Sequence, residues 1–440
     1  MRIAVIGSGI SGLSAAWLAS RCHEVTLFES EARFGGHSHT VSVAMPEGPV
    51  AVDTGFIVYN ENTYPNLAAL FRHLDVETAA SNMSFAVSLD DGRLEYNGTD
   101  LSGLFAQRSN LANPRFWRML RDLLRFYREA PAQLGRLGDI SLGALVDAGG
   151  YGAAFRDEHL LPMAAAIWSA PAKTLLDFPA EAFVRFCDNH GLLKVTGRPI
   201  WRTVSGGSIA YVEKLRAASA GVAKLRTTVR AVTRQRDGAI VRTTDGEERF
   251  DAVVVATHAD CALAILGDAS AEETELLGRF KYNRSEAVLH TDTRFMPRRR
   301  RAWASWNYFG RSGASEHARD LSVTYWMNNL QPLATKQPVF LTLNPRQAIA
   351  AELVLHRQHY EHPIFDTVAM RAQERLWSLQ GRNRTWFSGA YFGAGFHEDG
   401  LQSGLAVAEE LGGVRRPWSV AQESSRIRRT VQLSPEAVHP

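Results

Sequence analysis

The chain has 440 residues, 45% of them hydrophobic and 22% charged, an ordinary balance for a soluble globular protein and enough length for two packed domains. No apolar run approaches the roughly 20 residues needed to span a bilayer, and the chain enters a strand at Ile3-Ala4-Val5-Ile6 with no signal-peptide cleavage pattern, so a cytoplasmic location is expected. The net charge is +3, with 43 Arg and 6 Lys spread along the chain and no nucleic-acid module. Cys22, Cys187 and Cys261 are scattered, with no CxxC pair and no metal-ligand spacing, so neither a disulfide framework nor a metal is expected.

Residues 2–6 read as a short, fully buried strand. Gly7-Ser8-Gly9-Ile10-Ser11-Gly12 follows, a GxGxxG run, and residues 14–19 have helical character. Residues 23–29 form a second strand that ends in Glu29. Strand, glycines, helix, strand and acid in this order make a complete dinucleotide-binding unit of about 30 residues. Gly7 permits the tight turn, Gly9 lets the backbone approach a pyrophosphate, and Gly12 lets the helix pack close to the strand. The N–H groups of the helix start, Ile10 and Ser11 included, are free for phosphate oxygens. The Glu29 carboxylate is an acceptor for the ribose hydroxyls of the adenosine half.

The continuation, Ser30-Glu31-Ala32-Arg33-Phe34-Gly35-Gly36-His37-Ser38-His39-Thr40, resembles the flavin-containing amine oxidase superfamily, which includes protoporphyrinogen oxidases and carotenoid-type desaturases. Its pattern is an acid, a few residues, Arg-x-Gly-Gly-Arg and a nearby Thr. Arg33, Gly35, Gly36 and Thr40 match, and His37 stands where the second Arg would be. The resemblance implies a bound FAD, with Glu29, Ser30, Arg33 and His37 along it, Arg33 near the pyrophosphate and Gly35-Gly36 against the flavin side. A guanidinium supplies the charge that a diphosphate needs. Asp53-Thr54-Gly55-Phe56 resembles the segment beside the isoalloxazine ring.

Residues from about 90 to 200 look helical and aromatic. Within 114–128, Arg118, Arg121, Arg125 and Arg128 recur at helical spacing beside a broad apolar face, with Pro114 in the first turn. Two readings stand open, a surface helix packed by its apolar face and a helix lying on an anionic membrane. Arg298 to Arg301, between Phe295 and Trp303, form a second basic and aromatic spot. Residues 201–208 resemble the family's Gly-Gly stretch, where the chain re-enters the cofactor domain, and Val229 matches the residue whose backbone serves adenine. Asp237-Gly238 and Asp245-Gly246 are hairpin turns of a small meander. Residues 251–257 form a buried strand, with His258 where relatives have Gly.

Alternation marks strands over 285–294, 321–330 and 338–343, with Tyr308, Tyr325, Trp326, Asn328 and Asn329 as candidate cavity residues. The lysine of amine oxidases would fall near Ser285-Glu286, with Lys281 off register, and only Tyr391 and Phe392 suggest an aromatic pair. The closing run, Gly389-Ala390 and then Gly393 to Gly404, looks like the family's last motif, with Gly389, Asp399, Gly400 and Leu401 as cofactor residues. The motif's usual Asp is Ala390 here. It holds no Cys, so non-covalent FAD is expected, and the absence of a second GxGxxG makes the substrate itself the reductant. Residues 416–440 read as a loose tail.

The expected fold is α/β, amine-oxidase-like: a discontinuous Rossmann-like FAD-binding domain (1–90, 200–270, 380–415) and an α+β substrate domain (91–199, 271–379). A bacterial branch that looks much like this chain shares Gly-Phe-His-Glu-Asp-Gly and Asp-Thr-Gly-Phe-Ile-Val-Tyr-Asn, and is encoded beside methyltransferases related to cyclopropane fatty acid synthases. That resemblance implies desaturation of methyl-branched acyl chains of membrane phospholipid, on the route to furan fatty acids. A hydride would pass to the flavin while a base, His397, Glu398 or Tyr59, takes the paired proton. Oxygen or a quinone would reoxidise the cofactor. A peripheral position on the inner membrane face, a dimer, an amine oxidase, and a flavin-binding protein without turnover are the alternatives. No nucleic-acid partner is expected.

Overall fold

The computed structural model describes residues 1–168, 172–311 and 322–429. Its first sheet is parallel throughout, in the order Val222–Lys224, Glu24–Phe28, Arg2–Ile6, Ala252–Val255, Thr385–Phe387. Three of these strands are near-continuous apolar runs because both faces are buried, as parallel sheets require. The antiparallel meander Val229–Gln235, Gly238–Thr243 and Glu247–Phe250 lies beside it, turning where the Asp-Gly pairs predict.

The second sheet has seven strands in the order Val354–Ile364, Lys281–His290, Phe340–Leu343, Ser322–Trp326, Trp306–Gly310, Phe85–Leu89, Leu94–Asn97. All its pairs are antiparallel except that of Trp306–Gly310 with Phe85–Leu89. Val87, Leu89, Val323 and Leu341 share one core with Phe116, Met119 and Phe126 of the helix Pro114–Glu129 and with Phe183 of the helix Ala180–Asn189. Among the described residues no helix is long and apolar enough to cross a membrane.

Several boundaries differ from the sequence reading. The strand expected over 285–294 runs Lys281–His290. The one expected over 321–330 stops at Trp326 and continues as the helix Met327–Leu330, and Leu321 lies outside the described residues. Phe85–Leu89 pairs into the second sheet, so the cofactor side ends before residue 85 rather than at 90. The cofactor-side core also takes in Phe365, Leu376 and Ile427. Residues 416–429 are no loose tail. The Arg416 guanidinium is buried against Glu409 at 2.8 Å, and Ile427 is 3% exposed. The rest of that segment, 430–440, lies outside the described residues.

Candidate active site

Between the two sheets lies one cavity of about 1920 Å³, roughly twice the upper end for a single small-molecule pocket. Gly7, Gly9, Ile10 and Ser11 line one end. No side chain caps the helix Ile10–Ala19, so its first N–H groups stay available to an anion. Gly9 has φ −63° and ψ 176°, a backbone any residue adopts, yet a Cβ there meets nothing within 4 Å. The space before it is the cavity itself. Gly12 instead serves packing, since a Cβ would sit 1.9 Å from the Gly7 carbonyl oxygen.

Glu29 shares this end with Ser30, Thr228 and Val229. Its Oε2 accepts the N–H and hydroxyl of Ser8 at 2.9 and 2.5 Å, and its Oε1 accepts the Glu31 N–H at 2.9 Å. The carboxylate is thus fixed in direction before any ribose arrives. Arg33 also faces the cavity, donating to the Gly36 carbonyl at 2.8 Å and pairing with Glu31 at 3.1 Å.

Gly36, His37, Thr54, Gly55 and Phe56 form the next stretch of wall, with Gly35 behind it. The Phe56 N–H donates to the His37 carbonyl at 2.8 Å, which zips the two segments together. Behind them Asp53 accepts from Ser208 N at 2.9 Å, Thr40 Oγ1 at 2.6 Å and Gln331 Nε2 at 2.8 Å. Burial pushes its carboxyl up to about 6 despite these donors. Ser208 starts the second cofactor segment, so Asp53 ties the two segments together.

In the closing motif Gly389, Ala390 and Gly400 reach the cavity, whereas Asp399 and Leu401 do not. Asp399 accepts the N–H groups of Ala394 and Phe396 at 3.0 and 2.7 Å and pairs with Arg426 at 3.2 Å. It shapes the loop, and Leu401 is fully buried core.

The three candidate bases separate in space. His397 opens the helix His397–Glu410 and faces the cavity. Its Nε2 meets the hydroxyls of Tyr211 at 2.8 Å and Ser38 at 3.0 Å. Burial holds its pKa down to about 3, so the ring is neutral at physiological pH. Glu398 points elsewhere, as successive helical residues do. It is fully buried, lies off the cavity wall, and accepts the N–H groups of Asn66 and Leu67 at 3.0 and 2.9 Å, capping the helix Pro65–His73. Tyr59 is also off the wall, packed edge-on to Phe71 at 5.2 Å.

The far part of the cavity is apolar, with Phe85, Leu120, Leu123, Met163, Ile167, Phe186, Leu341 and Leu343 in its walls. Of the candidate lining residues Tyr325 faces it, and Tyr308, Trp326, Asn328 and Asn329 do not. Among the described residues no Lys lines it; Tyr282 and Arg284 face it from the strand Lys281–His290. Tyr391 lines the wall, while Phe392 packs behind it against Trp377 at 5.8 Å. The spot at 298–301 is tied into the fold, with Arg299 on buried Glu95 at 2.8 Å and Arg300 over the Trp303 ring at 3.6 Å.

Sequence reasoning missed a polar node in the apolar part. His159 Nε2 accepts the Tyr127 hydroxyl at 2.9 Å, and Nδ1 meets the Tyr96 hydroxyl at 3.0 Å. Tyr96 donates to the Glu158 carbonyl at 2.8 Å. His159 sits in the π-helical turn Arg156–Leu160, a distortion common at functional sites. Gln358, Tyr360 and His362 were missed too; they line the cavity from one face of the strand Val354–Ile364. The sequence reading found no metal spacing, yet donor atoms of His258, Asp260 and Cys261 lie within 4.8 Å of one another. Burial raises the Cys261 thiol to about 11, which keeps it protonated and a poor ligand at neutral pH.

The cavity fits a flavin dinucleotide. An anion-ready helix start, a fixed carboxylate and an open Gly9 stand at one end. His37 Nε2, His362 Nδ1 and Tyr391 Oη are buried without a protein partner on residues that line it, and such atoms call for a ligand's polar edge.

The profile of the family described as flavin containing amine oxidoreductase matches residues 10–339. Solved structures share the fold at low identity. A CLA-producing fatty acid isomerase from P. acnes is 15% identical with a TM-score of 0.63, over 93% of this chain and 97% of that one. A putrescine oxidase bound to putrescine is 15% identical with a TM-score of 0.66, over 93% and 99%. Cyclohexylamine oxidase from Brevibacterium oxydans IH-35A is 14% identical with a TM-score of 0.66, over 93% and 99%. With the match spanning most of the chain and the cavity built for the cofactor, the chain belongs to the flavin containing amine oxidoreductase family and is an FAD-dependent oxidoreductase.

Proposed function

We propose that the chain desaturates a methyl-branched fatty acyl chain of a membrane phospholipid. The observation that carries this reading is the chamber beyond the cofactor wall, apolar and, among the described residues, without a buried acid. Among the described residues the acids that line the cavity are Glu29 and Glu31 at the adenosine end, Glu361 near His258 at 3.6 Å, and Asp100 at the exposed rim. A protonated amine would lose its hydration there and find no carboxylate in return. An acyl chain loses only apolar surface to water, which favours its entry. A fatty acid isomerase and two amine oxidases fold alike, so the walls are what favour the acyl chain.

The reaction removes two hydrogens from adjacent carbons. One leaves with the electron pair, the other as a proton, and a carbon–carbon double bond forms. Non-covalently bound FAD supplies the two-electron acceptor, and oxygen or a quinone takes the electrons afterwards. His397 is the candidate base that faces the cavity. Its ring is neutral, and the hydroxyls of Tyr211 and Ser38 hold it in place.

Incubation with phospholipid bearing methyl-branched chains, followed by mass spectrometry of the released fatty acids, tests the reading. The expected product has lost two hydrogens per turnover. Unchanged acyl chains together with oxidation of putrescine or cyclohexylamine would overturn it.

A further inference from the structure

Eleven large hydrophobic residues stand exposed among the described residues, and five of them, Leu101, Trp117, Leu124, Val195 and Ile200, line this single cavity. Their exposures are 73%, 49%, 55%, 62% and 73%. They come from three separate segments: the helix Leu101–Leu104, the helix Pro114–Glu129 and the loop that follows residue 191. Residues that both line a cavity and stand in solvent mark its mouth. Trp117 contacts Phe105, ring centroids 5.6 Å apart, which links the first two segments. Arg198 acts electrostatically on Tyr127 and His159, which links the third to them.

The same rim is basic. Arg121 and Arg198 are exposed and line the cavity, and Arg118 and Lys194 are exposed on the same helix and the same loop. The nearby acid Asp122 is buried under Arg121 at 3.0 Å, and Asp100 caps its own helix through the Gly103 N–H at 2.7 Å. Apolar side chains ringed by arginines, with a Trp among them, form the surface that sits at a bilayer interface. This ring and the apolar chamber belong to one cavity, which serves a substrate that already resides in an apolar phase.

We infer that the mouth of the cavity docks on an anionic phospholipid bilayer, with Leu101, Trp117, Leu124, Val195 and Ile200 entering the interface and Arg118, Arg121 and Arg198 meeting the headgroups. This rests on the reading of the substrate as a membrane lipid. A bilayer fits better than an acidic carrier protein because the apolar residues protrude singly around an opening instead of forming a closed patch.

The test is co-sedimentation of the FAD-loaded protein with vesicles of phosphatidylglycerol and phosphatidylethanolamine, and with phosphatidylcholine vesicles. The wild type should bind the anionic vesicles and release them at high salt. Arg118→Gln with Arg198→Gln should weaken binding about thirtyfold, at roughly 1 kcal/mol per basic residue near the surface. Leu124→Glu with Ile200→Glu should abolish it. An unchanged far-UV spectrum and melting temperature verify the fold of each variant. Wild type that ignores anionic vesicles, variants that bind like wild type, or binding to acyl carrier protein in preference to vesicles would overturn the docking surface. Vesicle binding is read without turnover. A protein that oxidises detergent-dispersed lipid yet ignores vesicles sinks the docking surface alone, and one that docks yet oxidises no lipid sinks the substrate reading alone.

Discussion

The imidazole of His397 lies flat on the ring of Phe56, centroids 3.8 Å apart and planes within 8°. Phe56 belongs to the segment that forms the cofactor wall, and His397 opens the closing helix, so this stack joins the two motifs that resemble the desaturase branch.

Replacing His397 by Asn should therefore separate binding from chemistry. Loss of a positioned proton acceptor typically costs about 10²–10⁴-fold. The expected outcome is a kcat reduced in that range with FAD retained in stoichiometric amount, read from the flavin spectrum. Tyr59→Phe, which changes a ring packed off the cavity wall, should leave kcat within about twofold, since a general acid or base would cost far more.

Glu398→Ala should behave in the opposite way. Its carboxylate satisfies the first N–H groups of the helix Pro65–His73. Removal should cost about 1–3 kcal/mol of folding stability, measured by denaturant titration, with the kcat of the folded protein kept. A large fall in kcat without a fall in stability would return Glu398 to the mechanism.

The two glycines of the N-terminal motif should fail differently. Gly9→Val adds bulk where nothing lies within 4 Å and the backbone is ordinary, so the protein should fold and purify colourless, unable to admit the pyrophosphate. Gly12→Ala puts a Cβ 1.9 Å from the Gly7 carbonyl and should reduce soluble yield and melting temperature. Flavin content and thermal melting of the two variants check both outcomes.

Acid should destabilise the fold through buried histidines. Burial holds His159 and His190 at about 3 in the folded state, against about 6.5 when unfolded. Between these values the unfolded chain binds protons that the folded one refuses, so stability falls as pH drops below about 6.5, by up to about 1.4 kcal/mol per pH unit for each histidine. Asp53, pushed up to about 6, takes its proton more readily when folded and offsets part of this below pH 6. Denaturant titrations at pH 7.5 and 5.5 should show the loss, and His159→Gln should reduce its slope.

The cofactor half was legible because its demands are local in sequence. Turn, helix start and acid follow within one unit, and the cavity end holds Gly7, Gly9, Glu29 and Arg33 together as that order implies. The substrate half was not, because its walls come from side chains far apart in the chain. Tyr96, Tyr127 and His159 meet only after the strand Leu94–Asn97 packs against two helical segments. The longest strand, Val354–Ile364, escaped because its inward face carries Gln358, Tyr360 and His362, so it lacks the apolar alternation that marks a half-buried strand. Glu398 and Asp399 lie off the cavity wall for one reason. Both follow His397 in the closing motif, yet their carboxylates satisfy backbone N–H groups of the loop and of a neighbouring helix.

The most direct measurement is anaerobic mixing of the purified yellow protein with phospholipid bearing methyl-branched acyl chains, watching the flavin band near ~450 nm. The account predicts bleaching by this lipid, no bleaching by putrescine or cyclohexylamine, and recovery of colour on admitting oxygen or a quinone. Bleaching by the amines and not by the lipid would contradict it.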